Sequence, residues 1–261
     1  MNRGITLQHV IPVDFAKCPN GFHREILAGP NTGVDGCYLI CSRVEPGASG
    51  PKLHTHPADQ FYYVLSGTTH VQLGTDEFDV GPDNLVFIPE GTPHCNWNPG
   101  KETEVHLEII VPAPPWDSIA TPASPRRVPD AADLIRPLKR ENFRGDKFAT
   151  QFLANRDTGS ALAALQVAEV RPNAGGPSFH IHPFDQFYFV IGGTLNVEVG
   201  LKKYTAGPNT LVVLPAGVVH QNYNGGAGVE KHITVLVPHP EPGQPLDVPV
   251  EVHHERAFGR L

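Results

Sequence analysis

Eight side chains in this sequence share a chemistry and fall into two sets of four: His54, His56, Gln60 and His94, then His180, His182, Gln186 and His220. The spacing within the sets is the same, and the second lies 126 residues after the first. In a strand, residues i and i+2 point to one face, so His54 and His56 project together, as do His180 and His182. Gln60 follows a turn containing Pro57 and can return its side chain to that face, while His94 follows Pro89-x-Gly91, a turn able to aim it inward. Neutral imidazoles with an amide oxygen suit a divalent transition metal. A lone His-x-His is weak evidence, because paired histidines also occur by accident on polar faces. Here all four positions recur while neighbours such as Ala58 and Phe184 differ. The expected cofactor is therefore one divalent ion per set; the residues themselves suit Fe²⁺, Mn²⁺, Ni²⁺, Co²⁺ and Zn²⁺ alike, and Fe²⁺ or Mn²⁺ is the favoured expectation.

The elements that must hold these residues come from an internal repeat. HTHPADQFYYVLSG (54–67) returns as HIHPFDQFYFVIGG (180–193) with nine of fourteen positions identical, and GPDNLVFIPEGTPHCNWN (81–98) aligns with GPNTLVVLPAGVVHQNYN (207–224) without an insertion. The copies run over 22–114 and 148–240. Each alternates with period two: 60–65 and 186–191 are aromatic and β-branched, and 71–73, 85–88 and 105–111 read as further strands between Gly-Pro and Pro-x-Gly turns. The expected fold class is all-β, two tandem barrels. It comprises an N-terminal domain over 1–114, a proline-spaced linker over 115–147 with one short helix around 130–135, a C-terminal domain over 148–240, and a tail over 241–261 along the surface.

Composition agrees and excludes other classes. With 26 glycines and 27 prolines in 261 residues, helical bundles are disfavoured, while 40% hydrophobic residues can fill a core. The net charge is −7 and no basic run exceeds Arg126-Arg127, so no nucleic-acid partner is expected. No apolar stretch approaches the roughly 20 residues that span a bilayer, so no membrane partner is expected either. The start, MNRGITLQHVIPVDF, has no signal-peptide pattern, and four cysteines do not make a disulfide scaffold. The expectation is a cytoplasmic protein with reduced thiols.

The motifs resemble those of the cupin superfamily, whose first motif is G-x5-H-x-H-x3,4-E-x6-G and whose second is G-x5-P-x-G-x2-H-x3-N. The first reads here His54-x-His56-x3-Gln60-x6-Gly67 and His180-x-His182-x3-Gln186-x6-Gly193, with the leading glycine displaced to Gly50 and Gly176. The second reads Gly81, Pro89-x-Gly91-x2-His94-x3-Asn98 and Gly207, Pro215-x-Gly217-x2-His220-x3-Asn224, with seven residues between Gly and Pro rather than five. The resemblance covers both copies and implies two jelly-roll barrels, each with a metal inside: a bicupin. The family's usual glutamate is glutamine in both copies. A neutral amide leaves the ion its full charge, which favours anionic ligands. Three-histidine, one-glutamine sets also occur in redox-neutral cupins, such as cupin-type hydroxynitrile lyases and the bicupin isomerase of bacilysin biosynthesis.

Other residues have a functional and a plain reading. His106 and Glu108, with His232 and Thr234 in the second copy, share a strand face. If it lines the barrel, His106 and Glu108 are an acid–base pair; if it faces solvent or the other barrel, they are ordinary polar positions, the reading preferred. Tyr62 and Tyr188 share the face of the glutamines and can reach a bound substrate, although packing is the commoner role. Asp59 and Asp185 suit turn hydrogen bonds, Asn98 and Asn224 tie down a loop, and His70 and Cys95 have no counterpart in the second copy. The resemblance implies a dioxygenase-type oxidoreductase acting on a small enolisable or phenolic anion. The alternatives are a redox-neutral isomerase or lyase stabilising an enolate, and a non-catalytic cupin binding a small ligand. A homodimer is a further expectation.

Overall fold

A computed structural model describes residues 7–15 and 21–252. Expectations resting on residues 1–6, on Cys18 and on the end of the tail, 253–261, lie outside the described residues. Among the described residues all helical turns are short 3-10 segments, and the chain is otherwise strand and turn. No helix is long and apolar enough to cross a membrane.

Each repeat, joined by one flanking strand per sheet, forms a six-stranded and a five-stranded antiparallel sheet. In the first barrel the larger sheet runs, in spatial order, Ile135–Pro137, Asn84–Ile88, Asp59–Ser66, Glu104–Val111, Tyr38–Val44 and Phe22–Ala28. The smaller runs Thr121–Pro122, His54–Thr55, His94–Trp97, Thr69–Leu73 and Asp76–Val80. In the second barrel the larger sheet runs Val10–Pro12, Thr210–Leu214, Asp185–Gly192, Glu230–Val237, Ala164–Val170 and Phe148–Ala154. Its smaller sheet runs Lys202–Ala206, Leu195–Val199, His220–Tyr223, His180–Ile181 and Val248–Pro249.

Alternation along the central strands decides what each face does. On Glu104–Val111, the residues Val105, Leu107, Ile109 and Val111 join one core with Phe187, Phe189, Ile233 and Val235 of the other barrel. The opposite face, with Glu104, His106 and Glu108, turns inward beside Gln60 and Tyr62. The two large sheets thus pack back to back, and each barrel keeps a smaller apolar cluster of its own, around Val71, Leu73 and Ile88 in the first and Val197, Val199 and Leu214 in the second.

The motif glycines Gly67 and Gly193 and the motif asparagines Asn98 and Asn224 are structural. Gly67 and Gly193 have φ of +71° and +73°, and a Cβ there would lie 2.6 Å from the Thr103 carbonyl oxygen or 2.5 Å from that of Val229. Only glycine fits such a turn without strain. Asn98 donates from Nδ2 to the carbonyls of Val44 and Glu102 and accepts from Gly100 N; Asn224 repeats this with Val170, Gly228 and Gly226.

The segments outside the repeats are built into the sheets. In 115–147, Thr121–Pro122 pairs with the strand of His54, and Ile135–Pro137 pairs with Asn84–Ile88. The expected short helix is the 3-10 turn Ala131–Leu134, accompanied by Trp116–Ser118 and Arg140–Asn142. The tail does more than follow the surface: Val248–Pro249 pairs with the strand of His180. Val10–Pro12, ahead of the first repeat, pairs with Thr210–Leu214 of the second barrel.

Candidate metal centres

Pairing of short strands brings the histidines together. His54 stands directly opposite His94, and His180 opposite His220. The Pro-x-Gly turn is tied back to the next histidine, Gly91 N donating to the carbonyl of His56 (3.0 Å) and Gly217 N to that of His182 (2.8 Å). Ring centroids are 4.7, 4.3 and 5.0 Å apart in the first triad and 4.8, 4.3 and 4.8 Å apart in the second. In each triad one nitrogen per ring lies within 4.8 Å of the others, an arrangement that can hold a metal ion.

Every ring is oriented by a backbone carbonyl. Nδ1–H of His54, His94, His180 and His220 donates to the carbonyl two residues earlier, at 2.8, 2.8, 2.6 and 3.0 Å. His56 donates to Ile119 O and His182 to Leu246 O (2.6 Å), so the linker and the tail each fix one ring. The Nε2 lone pairs are left facing inward, the usual way a protein prepares histidine ligands. Nε2 of His54 and His56 are 3.1 Å apart, close to the roughly 3.0 Å between adjacent ligands around an ion bound at about 2.1 Å. Nε2 of His94, His182 and His220 is buried without a hydrogen-bond partner. Buried polar atoms normally find partners, so these orphaned nitrogens fit a divalent cation. Burial favours the neutral form of five of these rings: it lowers His54, His56 and His182, His94 well below the ordinary histidine value, and His220 to about 4.

The glutamines differ between the centres. Nε2 of Gln60 donates to Glu108 Oε1 (2.5 Å), and Glu108 Oε2 accepts from Ser42 Oγ (3.1 Å). A carboxylate only accepts, so the Gln60 amide is held with its nitrogen on Glu108, and its buried Oε1 has no hydrogen-bond partner. In the second barrel Thr234 and Ala168 replace Glu108 and Ser42, and Oε1 of Gln186 accepts from Tyr188 O–H (2.9 Å).

The face carrying His106 and Glu108 lines the barrel, contrary to the plain reading preferred from sequence. Both residues are buried, yet they do not form the pair that the alternative reading offered: His106 Nδ1 donates to Glu104 (2.8 Å), and His232 likewise to Glu230 (2.9 Å). Burial opposes protonation of His106, but the Glu104 carboxylate outweighs it and raises the imidazole above its ordinary value. Tyr62 packs on His106 with ring centroids 4.5 Å apart and Tyr188 on His232 at 4.7 Å; burial raises both phenols. Glu104 and Glu230 escape a reading of the sequence, although they recur in the repeat. Arg24, also missed, extends over the rings of Phe22 and Trp116; its charge adds, after burial, to the lowering of His54 and His56 and opposes the rise of Tyr62. Asp59 and Asp185 accept from the backbone of Glu90 and Ala216, both at 2.9 Å. His70 lies outside with Asp79 and Glu77, and Cys95 contacts Gln72.

No curated protein matches the sequence. Solved structures match its fold. A variant of oxalate decarboxylase from B. subtilis, substituted at one position, superposes with a TM-score of 0.70 at 14% identity, over 90% of this chain and 78% of that one. A structure described for the Mn(II) centres of Bacillus subtilis oxalate decarboxylase gives 0.69 at 13% identity, over 92% and 79%. The cupin domain model matches twice, at residues 41–111 and 166–236, more than half of the chain. Two barrels in tandem, each built around a histidine triad from the two motifs, and two matches to the domain model make this chain a member of the cupin family, of the bicupin type.

Proposed function

We propose that each triad binds one divalent first-row metal ion with its glutamine, Gln60 or Gln186, as a further donor. The chain then acts as a metal-dependent enzyme on a small anionic substrate, by redox-neutral lyase or isomerase chemistry. The observation that carries this is the clamp on Gln60: a buried carboxylate turns its amide so that the oxygen is left without a protein partner. When bound, the ion supplies Lewis acidity that polarises a carbonyl or carboxylate oxygen.

The protein's own groups divide the remaining work. Arg24, held over two aromatic rings, attracts an anion toward the first centre. Glu108 is the buried carboxylate nearest the Gln60 amide and is the candidate to take or return a proton; each of its oxygens has a second lone pair beyond the bonds from Gln60 and Ser42. Tyr62, whose raised phenol stays protonated, donates a hydrogen bond that orients substrate, with the His106–Glu104 pair behind it. Tyr188 and His232 take these positions in the second centre, where Thr234 provides no carboxylate.

Manganese and a small carboxylate are the first ion and substrate to test, because the structures similar in fold are oxalate decarboxylases with Mn(II) centres. Iron is the next ion. An oxygen-consuming dioxygenase is the second reading: a divalent ion held by three histidines and one glutamine would be able to take further ligands and supply redox chemistry. An oxygen electrode separates the readings. Manganese-loaded protein should turn over small oxo- and hydroxycarboxylates without net oxygen uptake; turnover matched mole for mole by oxygen consumption would establish the dioxygenase instead.

A further inference from the structure

The two centres are near copies, yet their carboxylates stand in different places. In the first, Glu108 sits on a central strand, buried behind Gln60. In the second that position is Thr234, and a carboxylate arrives from the strap after the barrel instead. Asp247 Oδ1 lies 3.7 Å from His180 Nε2 and 3.5 Å from His182 Nδ1.

The strap is anchored on both sides of that residue. The carbonyl of Leu246 accepts from His182 Nδ1 (2.6 Å), and Val248 and Pro249 pair with Ile181 and His180. The linker makes the same anchors at the first centre: Ile119 O accepts from His56 Nδ1, and Thr121 and Pro122 pair with Thr55 and His54. The residue between the anchors is Ala120 in the first strap and Asp247 in the second. One backbone device is thus used twice and carries a carboxylate once.

Taking the triads as metal sites, as proposed above, we infer that Asp247 is a ligand of the metal in the second centre, delivered by the C-terminal strap. Adjacent ligands around an ion at about 2.1 Å are roughly 3.0 Å apart and opposite ones roughly 4.2 Å, so the 3.7 Å between Asp247 Oδ1 and His180 Nε2 is a span one ion bridges. Nε2 of His182 and His220 is buried without a hydrogen-bond partner in the same place. The residue lines a cavity of about 150 Å³ with His180, His182 and Gln186. The amide oxygen of Gln186 is already shared with the Tyr188 hydroxyl, which leaves room for a stronger donor. The second ion then has a carboxylate beside its three imidazoles and Gln186, with net charge reduced by one, and is a weaker Lewis acid than the first. The Asp247 side chain is 42% exposed, so this ligand sits on the solvent side and can give way to an anionic substrate.

Titration of chelator-stripped, full-length protein with Mn²⁺ tests the assignment, with bound metal read by equilibrium dialysis and by the manganese EPR spectrum. A His54→Ala/His94→Ala background isolates the second centre; His180→Ala/His220→Ala isolates the first. Asp247→Asn should weaken Mn²⁺ at the second centre by about 10- to 100-fold and change its EPR spectrum, while leaving the first centre's affinity alone. Asp247→Glu should restore most of the loss. Unchanged affinity and spectrum at the second centre in Asp247→Asn would overturn the ligand assignment while leaving the metal sites standing. Wild-type protein that takes up no Mn²⁺ at either centre would overturn the metal reading and the ligand with it.

Discussion

Glu108→Gln tests how the first centre is built. The substitution keeps the side chain's size and removes its charge. In the native protein the Gln60 amide nitrogen meets a carboxylate at 2.5 Å, which forces the oxygen the other way. A hydrogen bond to a charged group contributes about 1.5–3 kcal/mol and a neutral one about 0.5–1.5. The change therefore costs about 1–2 kcal/mol of orientation and, since glutamine can present either end, lets the Gln60 amide turn over. Loss of a negative charge near the ion acts in the same direction. Glu108 also opposes the lowering of His54 and His56, which burial dominates, so its removal moves both further in the direction they already take. Together these predict that Mn²⁺ affinity at the first centre falls roughly 10- to 30-fold, within the range for partners that orient metal ligands. Calorimetric titration of chelator-stripped protein measures it. The second centre, with Thr234 at this position, is the control within the same molecule. An unchanged first site, or equal weakening of both, would show that the clamp does not set the ligand geometry.

Two further outcomes follow from the same geometry. The metal-free protein should lose stability in acid: His220 is lowered from 6.5 to about 4, with His54, His56, His94 and His182 lowered too, so the unfolded chain binds protons that the folded chain refuses. The stability is complete above about pH 6.5 and falls as pH drops toward about 4, with His220 alone contributing about 3 kcal/mol; melting temperatures that stay level across this window would contradict it. Asn98→Ala and Asn224→Ala each remove three hydrogen bonds from a buried amide and should each cost about 2–4 kcal/mol in urea unfolding, by matching amounts because the bonds match.

The histidine sets are legible in the sequence because duplication separates kept positions from drifting ones, and strand alternation says which side chains travel together. Pairing within a face is less legible. Glu104 and Glu108 both stand two residues from His106 on the same side of one strand, and local spacing cannot choose between them. The choice is made by Ser42 and Gln60 on neighbouring strands, which engage Glu108 and leave Glu104 to the imidazole. The straps are hidden for another reason. Thr121-Pro122 and Val248-Pro249 are related by 127 residues rather than 126, one step out of register, so a repeat read without gaps ends before them. Arg24 has Thr150 as its counterpart and carries no repeat signal at all.

Val10–Pro12 completes the edge of a sheet whose next strand is Thr210–Leu214. That pairing has a consequence for the order in which the molecule can assemble during synthesis. The first barrel has all its strands once Pro137 has been made. The strand Val10–Pro12 leaves the ribosome before any of them, and its partner is about two hundred residues away. It must wait undocked while one whole barrel closes and most of another is translated. Contacts of such long sequence separation slow folding. The edge of the second barrel is thus sealed, late in synthesis, by a segment older than every strand of the first.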